Sequence, residues 1–327
     1  MPDLSVTYMG LRLENPFIAS SCGLTGTVDG VQKCAEAGAG AVVLKSLFEE
    51  QIAHEVSQTE DSIDVDFHPE ALEYVSQMGR QHGPREYLSL IESAKSAVSM
   101  PIIASVNCVT PKWWSTYARQ IALSGADGIE LNISAMPRSF SERSDSIEKE
   151  FLRVVEKVRG KTDLPIAVKI GPYFTSLPRV AVELRKAGVS ALVLFNRFYQ
   201  FDIDIEARSI VAGYQFSTSS EIHQSLRWIS ILSGNVGCDL AASTGVHTGE
   251  DAVKQLLAGA NAVGLCSTLY KNGIGRIGTI RSEVSGWMDA HGYDSIDRFR
   301  GTLSQSASDK PEQHERLQYI KALTGLS

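Results

Sequence analysis

Apolar residues in this chain gather into short, β-branched runs, separated by longer stretches whose apolar positions recur every three or four residues. Eight runs stand out: PFIAS (16–20), AVVLKS (41–46), PIIASVN (101–107), GIELNIS (128–134), PIAVKIG (165–171), ALVLFN (191–196), DLAAST (239–244) and AVGLCS (262–267). Each is almost continuously apolar, as expected of parallel strands covered by helices on one face and by a core on the other. Between them VDGVQKCAEAGAG, YLSLIESAKSAVSM, WWSTYARQIALSGADG, IEKEFLRVVEKVRG and GEDAVKQLLAGANA carry helical spacing. Several close on Ala-Gly-Ala or Ala-Gly-Val, a helix stop ahead of the next strand.

Eight strand–helix units predict an α/β protein of the (β/α)8 TIM-barrel class. A doubly wound sheet is the main competitor, and counting units does not separate the two. Two connections are unusually long, 47–86 after the second strand and 197–238 after the sixth. Long loops at strand C-terminal ends build the catalytic face of a barrel, which favours the closed form. The expected organisation is one barrel domain over 1–303, with a polar C-terminal appendage, 304–327, ending in a helix.

Composition agrees with an ordinary globular protein: 327 residues, 43% hydrophobic and 21% charged. The net charge of −7 disfavours nucleic acid and anionic membrane surfaces as partners. No apolar stretch is long enough to span a bilayer, and the N-terminus lacks a basic segment followed by an apolar run. The five cysteines are odd in number, widely spaced and without a CxxC pair, so no metal site is expected from this chain and a reduced, cytoplasmic setting fits best.

Polar residues cluster where the strands should end: Ser20 and Ser21, Lys45 and Ser46, Asn107 and Cys108, Asn132 and Ser134, Lys169, Asn196, Ser243 and Thr244, and Ser267. A lysine inside an apolar strand is costly unless its charge has a partner. Lys45 and Lys169, at equivalent strand ends, point to a shared anionic ligand, against the plainer reading of two core ion pairs. STGVHTGEDAVKQ (243–255) and GLCSTLYKNG (264–273) each place Gly, Ser or Thr between a strand and a helix. Such turns after the last two barrel strands bind phosphate through backbone N–H groups, although helix capping uses the same residues.

ENPFIASS, VLKS, ELNIS, PIAVKIGPYF, LFN, TGVHTGEDAVKQLLAGANAVGLCSTLYKNG and GYDSIDRFRGTL follow the order of the soluble, class 1 dihydroorotate dehydrogenases. The chain resembles that superfamily over about residues 5 to 303, most specifically in VKxxPYF and GYxSIxxFxGxL. The resemblance implies an FMN-carrying barrel of pyrimidine biosynthesis, an oxidoreductase acting on CH–CH groups. It places Lys169 by the pyrimidine edge of the flavin, Lys45 and Ser46 near its reactive face, and Ser20 and Ser21 along the ring. Asn132 and Asn196 would touch flavin and substrate, while Gly245, Val246, Ser267 and Thr268 would hold the phosphate. Cys266 stands where the family usually has glycine. The resemblance also implies a homodimer and leaves room for a separate electron-transfer partner.

The substrate half departs from the family, whose members hold orotate with four asparagines and use a cysteine or serine as base. Two asparagines are kept as Asn132 and Asn196; the others fall at Ser76 and Pro137, the usual serine after Asn196 is Arg197, and the base falls at Ala135. A methyl group accepts no proton, and positioned bases contribute about 10²–10⁴-fold. Replacements are Ser134, whose neighbouring strand position faces the opposite way, Ser139 and Ser141 on the same loop, and the Cys108 thiol, each also readable as packing or a solvated loop residue. Lys45 and Asn132 are the remaining catalytic candidates. His82, on the long second loop, is a further replacement candidate, also readable as a surface histidine, and Arg80 and Arg197 are candidates for gripping an anion. The sequence thus leaves open dihydroorotate, a different small anionic substrate, or a non-redox barrel that binds a phosphate-containing ligand.

Overall fold

Hydrogen bonding between the strands closes into a ring, which decides for the barrel over the doubly wound sheet. The computed structural model describes residues 2–48, 84–108, 114–133, 139–197, 200–213, 215–314, 319–320 and 323–325. The barrel strands are β3 (Phe17–Ala19), β4 (Ala41–Val43), β6 (Ile102–Cys108), β7 (Gly128–Ile133), β8 (Ile166–Ile170), β9 (Ala191–Leu194), β12 (Asp239–Ala242) and β13 (Ala262–Leu265). All neighbours are parallel, and β13 pairs back onto β3. The short β5 (Leu47–Phe48) continues the lane of β4 beside β6. Helices α1 (Val28–Glu36), α2 (Pro84–Ala97), α3 (Trp114–Leu123), α4 (Ser144–Arg159), α5 (Leu177–Lys186), α6 (Ile222–Leu232), α7 (Gly249–Ala258), α8 (Ser267–Asn272) and α9 (Arg276–His291) lie between or after the strands. In α4 the spacing of Phe151, Val154, Val155 and Val158 turns one apolar stripe inward.

Two hairpins were not predicted. The first, β1 (Val6–Tyr8) with β2 (Leu11–Leu13), closes the N-terminal end of the barrel. Its turn residue Met9 donates its N–H to the Asp239 carboxylate at the foot of β12 (2.8 Å) and reaches Gly128 at the foot of β7, where a Cβ would lie 3.1 Å from the methionine methyl. The second, β10 (Gln200–Asp204) with β11 (Ser209–Gly213), stands inside the long connection after the sixth barrel strand.

The second predicted strand, AVVLKS, is broken at Lys45 and Ser46. Leu44 still donates to Ile103 (2.9 Å), and pairing resumes at Leu47 opposite Val106. The skipped backbone groups of Ser105 are taken over by the buried Tyr87 hydroxyl from α2, which donates to the Ser105 carbonyl (2.9 Å) and accepts from its N–H (2.8 Å). The break frees Lys45 and Ser46 from strand alternation at the barrel mouth. Tyr87→Phe strands two buried backbone groups and should cost about 2–6 kcal/mol of stability, because each unmet buried group costs about 1–3 kcal/mol. Chemical denaturation checks this; an unchanged midpoint would refute the role.

At the C-terminal end, Gly301 and Leu303 donate to the carbonyls of Leu256 and Leu257 at the end of α7, both at 2.9 Å. The described part of the appendage forms single 3₁₀ turns at Gln305–Ala307 and Pro311–His314, and its described residues 319–320 and 323–324 are α-helical. Among the described residues no helix is long and apolar enough to cross a membrane.

Candidate active site

Register sets the polar residues of the barrel mouth at one height. Asn107 on β6 pairs with Asn132 on β7, and Asn132 with Lys169 on β8. Two residues lower on the same face, Ser105 pairs with Glu130 and Glu130 with Ala167. Side chains at i and i+2 share a face, so Glu130 lies beneath Asn132. This face points into the barrel: the Lys169 cation acts both on Glu130 and on Cys266 at the far side of the ring. Burial pushes the Glu130 carboxyl above its ordinary range, and Lys169 opposes that shift. The lysine predicted from sequence to need a partner in the core thus acts electrostatically on a buried carboxyl, that of a residue the sequence reading did not single out.

Asn196, just after β9, donates its side-chain amide to the Asn132 side-chain oxygen (2.9 Å). Its backbone N–H is held by Ile170 at the end of β8 (2.8 Å), which fixes the asparagine beside Lys169. Across the mouth, Ser21, Ser46 and Ser105 form a hydroxyl chain with oxygen separations of 3.0 and 2.8 Å. Ser20 fills the space left by the missing side chain of Gly264, where a Cβ would lie 2.4 Å from its oxygen. Six of the residues predicted for the ring, Ser20, Ser21, Ser46, Asn132, Lys169 and Asn196, therefore occupy one rim. The stem of Lys45 packs over Gly26 on the same side as Ser46.

The last two strand–helix turns are braced from outside the barrel. Thr244 and Gly245 are both left-handed, with φ of 75° and 80°, and a Cβ on Gly245 would lie 2.4 Å from the Ile222 backbone nitrogen. Only glycine fits the second position, and the strain at Thr244 is of the kind found at ligand-binding turns. Thr248 caps α7 by accepting from the Asp251 N–H (3.2 Å). The buried Asp251 carboxylate accepts from the N–H groups of His247 and Thr248 and from the Ser219 hydroxyl, at 3.0, 3.1 and 2.8 Å. Ser217 donates its N–H to the Ser267 hydroxyl (3.1 Å), and Lys271 binds the Ser217 carbonyl (2.8 Å). Ser267 and Thr268 open α8, so their N–H groups have no partner within the helix. They face the same region as Gly245 and Val246.

Arg197 is tied back. Its guanidinium bonds the Glu221 carboxylate (2.9 Å) and the Gln215 carbonyl, so in this arrangement its charge is answered by protein groups. It still lines, with Tyr173, Asn196, His223 and Thr244, a cavity of about 460 Å³ beside β8 and β9. Ser139 and Ser141 bond each other (2.8 Å) on an exposed loop. Ser76, Arg80, His82, Ser134, Ala135 and Pro137 lie outside the described residues, as does the side chain of Cys108 at the end of β6.

The comparisons with known proteins now bear on this geometry. The family model described as "Dihydroorotate dehydrogenase" matches residues 3–288. The chain belongs to the dihydroorotate dehydrogenase family. It is 26% identical over 311 residues to a protein of Thermoplasma volcanium named dihydroorotate dehydrogenase B (NAD(+)), catalytic subunit, covering 92% of this chain and 98% of the relative. It is 28% identical over 306 residues to the protein of that name from Thermoplasma acidophilum, with 90% and 97% covered. A protein of Aeropyrum pernix named putative dihydroorotate dehydrogenase A (fumarate) is 26% identical over 302 residues, with 90% and 95% covered.

The family is one of FMN-dependent oxidoreductases acting on CH–CH groups, and the donor set here fits that cofactor. Lys169 and the two asparagines would offer a cation and amide groups to the heteroatoms of a flavin ring. The opening N–H groups of α8 and the Gly245–Val246 turn offer phosphate donors. The sequence reading missed Glu130, Tyr87, Ser217 and Asp251, which position these groups from below or behind. For Glu130 and Ser105 a signal existed: each stands two residues before an asparagine already chosen, on the same strand face.

Proposed function

We propose that this protein exchanges a hydride between FMN and a carbon–carbon bond of a small anionic substrate, and that this substrate is not dihydroorotate. The hydrogen-bonded Asn132–Asn196 pair beside Lys169 carries the reading. Because the Asn132 oxygen accepts from Asn196, the Asn132 amide N–H₂ remains a donor and the Asn196 oxygen an acceptor, an edge suited to an amide or carboxyl group. FMN supplies the two-electron chemistry at its N5. Lys169 would stabilise negative charge on the reduced ring, and Lys45 and Ser46 would adjoin the substrate. Gly245, Val246, Ser267 and Thr268 hold the phosphate.

The substrate half argues against dihydroorotate. Ala135, Ser76 and Pro137 replace a base and two amide partners that the resemblance would place there, and a site built to bond a polar group rejects ligands that its own groups no longer match. The names of the relatives favour the alternative, dihydroorotate itself. Because several relatives are named catalytic subunits, a separate electron-transfer chain belongs to this reading, and the resemblance adds a homodimer and a cytoplasmic setting to it.

Reoxidation separates the alternatives. Protein reduced without oxygen should be reoxidised faster by at least one member of a panel of small unsaturated carboxylates than by orotate. Orotate as the fastest acceptor would overturn the proposal, and a colourless protein unable to take up FMN would favour a non-redox barrel.

A further inference from the structure

Two cysteines that the function leaves unused meet at the barrel mouth. β3 and β13 are neighbours, and Ser20 donates its N–H to the Leu265 carbonyl (2.9 Å). One residue beyond Leu265 stands Cys266, and two beyond Ser20 stands Cys22, so the ends of adjacent strands bring the pair together across the whole length of the chain. The backbone at Cys22 is fixed by Thr25, whose hydroxyl accepts from the Cys22 N–H (3.2 Å) and donates to its carbonyl (3.0 Å). The Tyr270 hydroxyl from α8 closes over this turn, 2.7 Å from where a Cβ on Gly23 would lie. Both cysteines are half-buried residues.

We propose that Cys22 and Cys266 form an oxidisable dithiol, with Cys22 the sulfur that attacks a hydroperoxide and Cys266 the sulfur that resolves it into a disulfide. In the first step the Cys22 thiolate displaces hydroxide from hydrogen peroxide, giving a sulfenic acid as the O–O bond breaks. In the second, the Cys266 sulfur attacks the Cys22 sulfur, the S–O bond breaks, and the leaving hydroxide takes the Cys266 proton as water. Two thiols lose two electrons and peroxide gains them, with two waters formed. Peroxide is the oxidant a flavin protein meets when dioxygen takes its electrons.

The electrostatics support this division of labour. The hydrogen bond from Cys266, aided by the N–H groups of Leu24 and Thr25 and by Tyr270, lowers Cys22 to about 6 against the opposing effect of burial. The same bond, with burial and the Cys22 charge, pushes Cys266 far up, while Lys169 opposes it. A thiolate at neutral pH is the nucleophile, and once its oxidation removes the Cys22 charge and hydrogen bond that raise Cys266, that thiol can give up its proton and resolve the sulfenic acid. Cys34 and Cys238 serve as internal controls, since burial first of all pushes each up to about 12. The disulfide would tie the Cys22–Thr25 turn to the residue that opens α8.

The test treats the FMN-loaded full chain with equimolar hydrogen peroxide at neutral pH and maps the products by mass spectrometry. A Cys22–Cys266 cross-linked peptide, lost on adding dithiothreitol, is the expected product. Cys266→Ser should instead leave Cys22 trapped by dimedone as a sulfenic acid, and iodoacetamide should modify Cys22 at least about tenfold faster than Cys34 or Cys238. No cross-link, a disulfide through Cys108, or equal alkylation rates would overturn the proposal. Because these readouts count sulfur chemistry in wild-type protein as well as in the variant, a folding defect in Cys266→Ser leaves the test standing.

Discussion

Lys169→Met should lower turnover with the best unsaturated carboxylate by about 10²–10³-fold, the loss seen when one preorganised donor to developing charge is removed. Methionine keeps most of the lysine stem, so the effect isolates the cation. The flavin midpoint potential should fall in the same variant, because the negative charge of the two-electron-reduced ring loses its nearest compensating group. A variant with wild-type potential and rate would show that Lys169 serves only Glu130. The pH dependence of stability gives a second readout. Burial already raises Glu130 and Lys169 opposes that shift, so removing the lysine raises the carboxyl further. The folded variant then holds a proton that the unfolded chain releases, and its stability should fall, relative to wild type, as pH rises through and above the ordinary carboxylate range.

Ala135→Cys should raise the rate of flavin reduction by dihydroorotate by at least about 10²-fold, the lower end of what a positioned base contributes. The prediction follows from position rather than contact: Ala135 succeeds the ELNIS strand end that carries Asn132, and the resemblance puts the proton acceptor there. A thiol at that site restores the missing chemistry without touching Lys169 or Asn196. Stopped-flow mixing without oxygen measures it. An unchanged rate would mean that the base, where one is needed, sits elsewhere.

Much of this architecture was legible in the chain because parallel barrel strands are buried on both faces and therefore read as apolar runs. All eight runs became the barrel strands, and six of the polar residues at their ends, Ser20, Ser21, Ser46, Asn132, Lys169 and Asn196, share one rim. What escaped the reading depends on contacts between distant segments. The break at Lys45–Ser46 requires the Tyr87 hydroxyl from the following helix to replace strand pairing, and no local pattern announces that. The hairpin at Gln200–Asp204 and Ser209–Gly213 lies inside a connection noticed for its length alone. Glu130 was passed over because ELNIS drew attention to its asparagine, although the carboxylate two residues earlier shares its face and answers Lys169. Cys266 is an unusual residue in a glycine-rich turn, but its nearness to Cys22 depends on the pairing of β3 with β13, which no local pattern carries.

In the proposed function the flavin half of this site is kept and the substrate half is rewritten. Anaerobic titration of the wild-type protein with dihydroorotate, followed at the flavin absorbance band, tests that claim most directly. The predicted result is a yellow protein that bleaches promptly with dithionite and only slowly, or not at all, with excess dihydroorotate. Prompt and complete bleaching by one equivalent of dihydroorotate would contradict it.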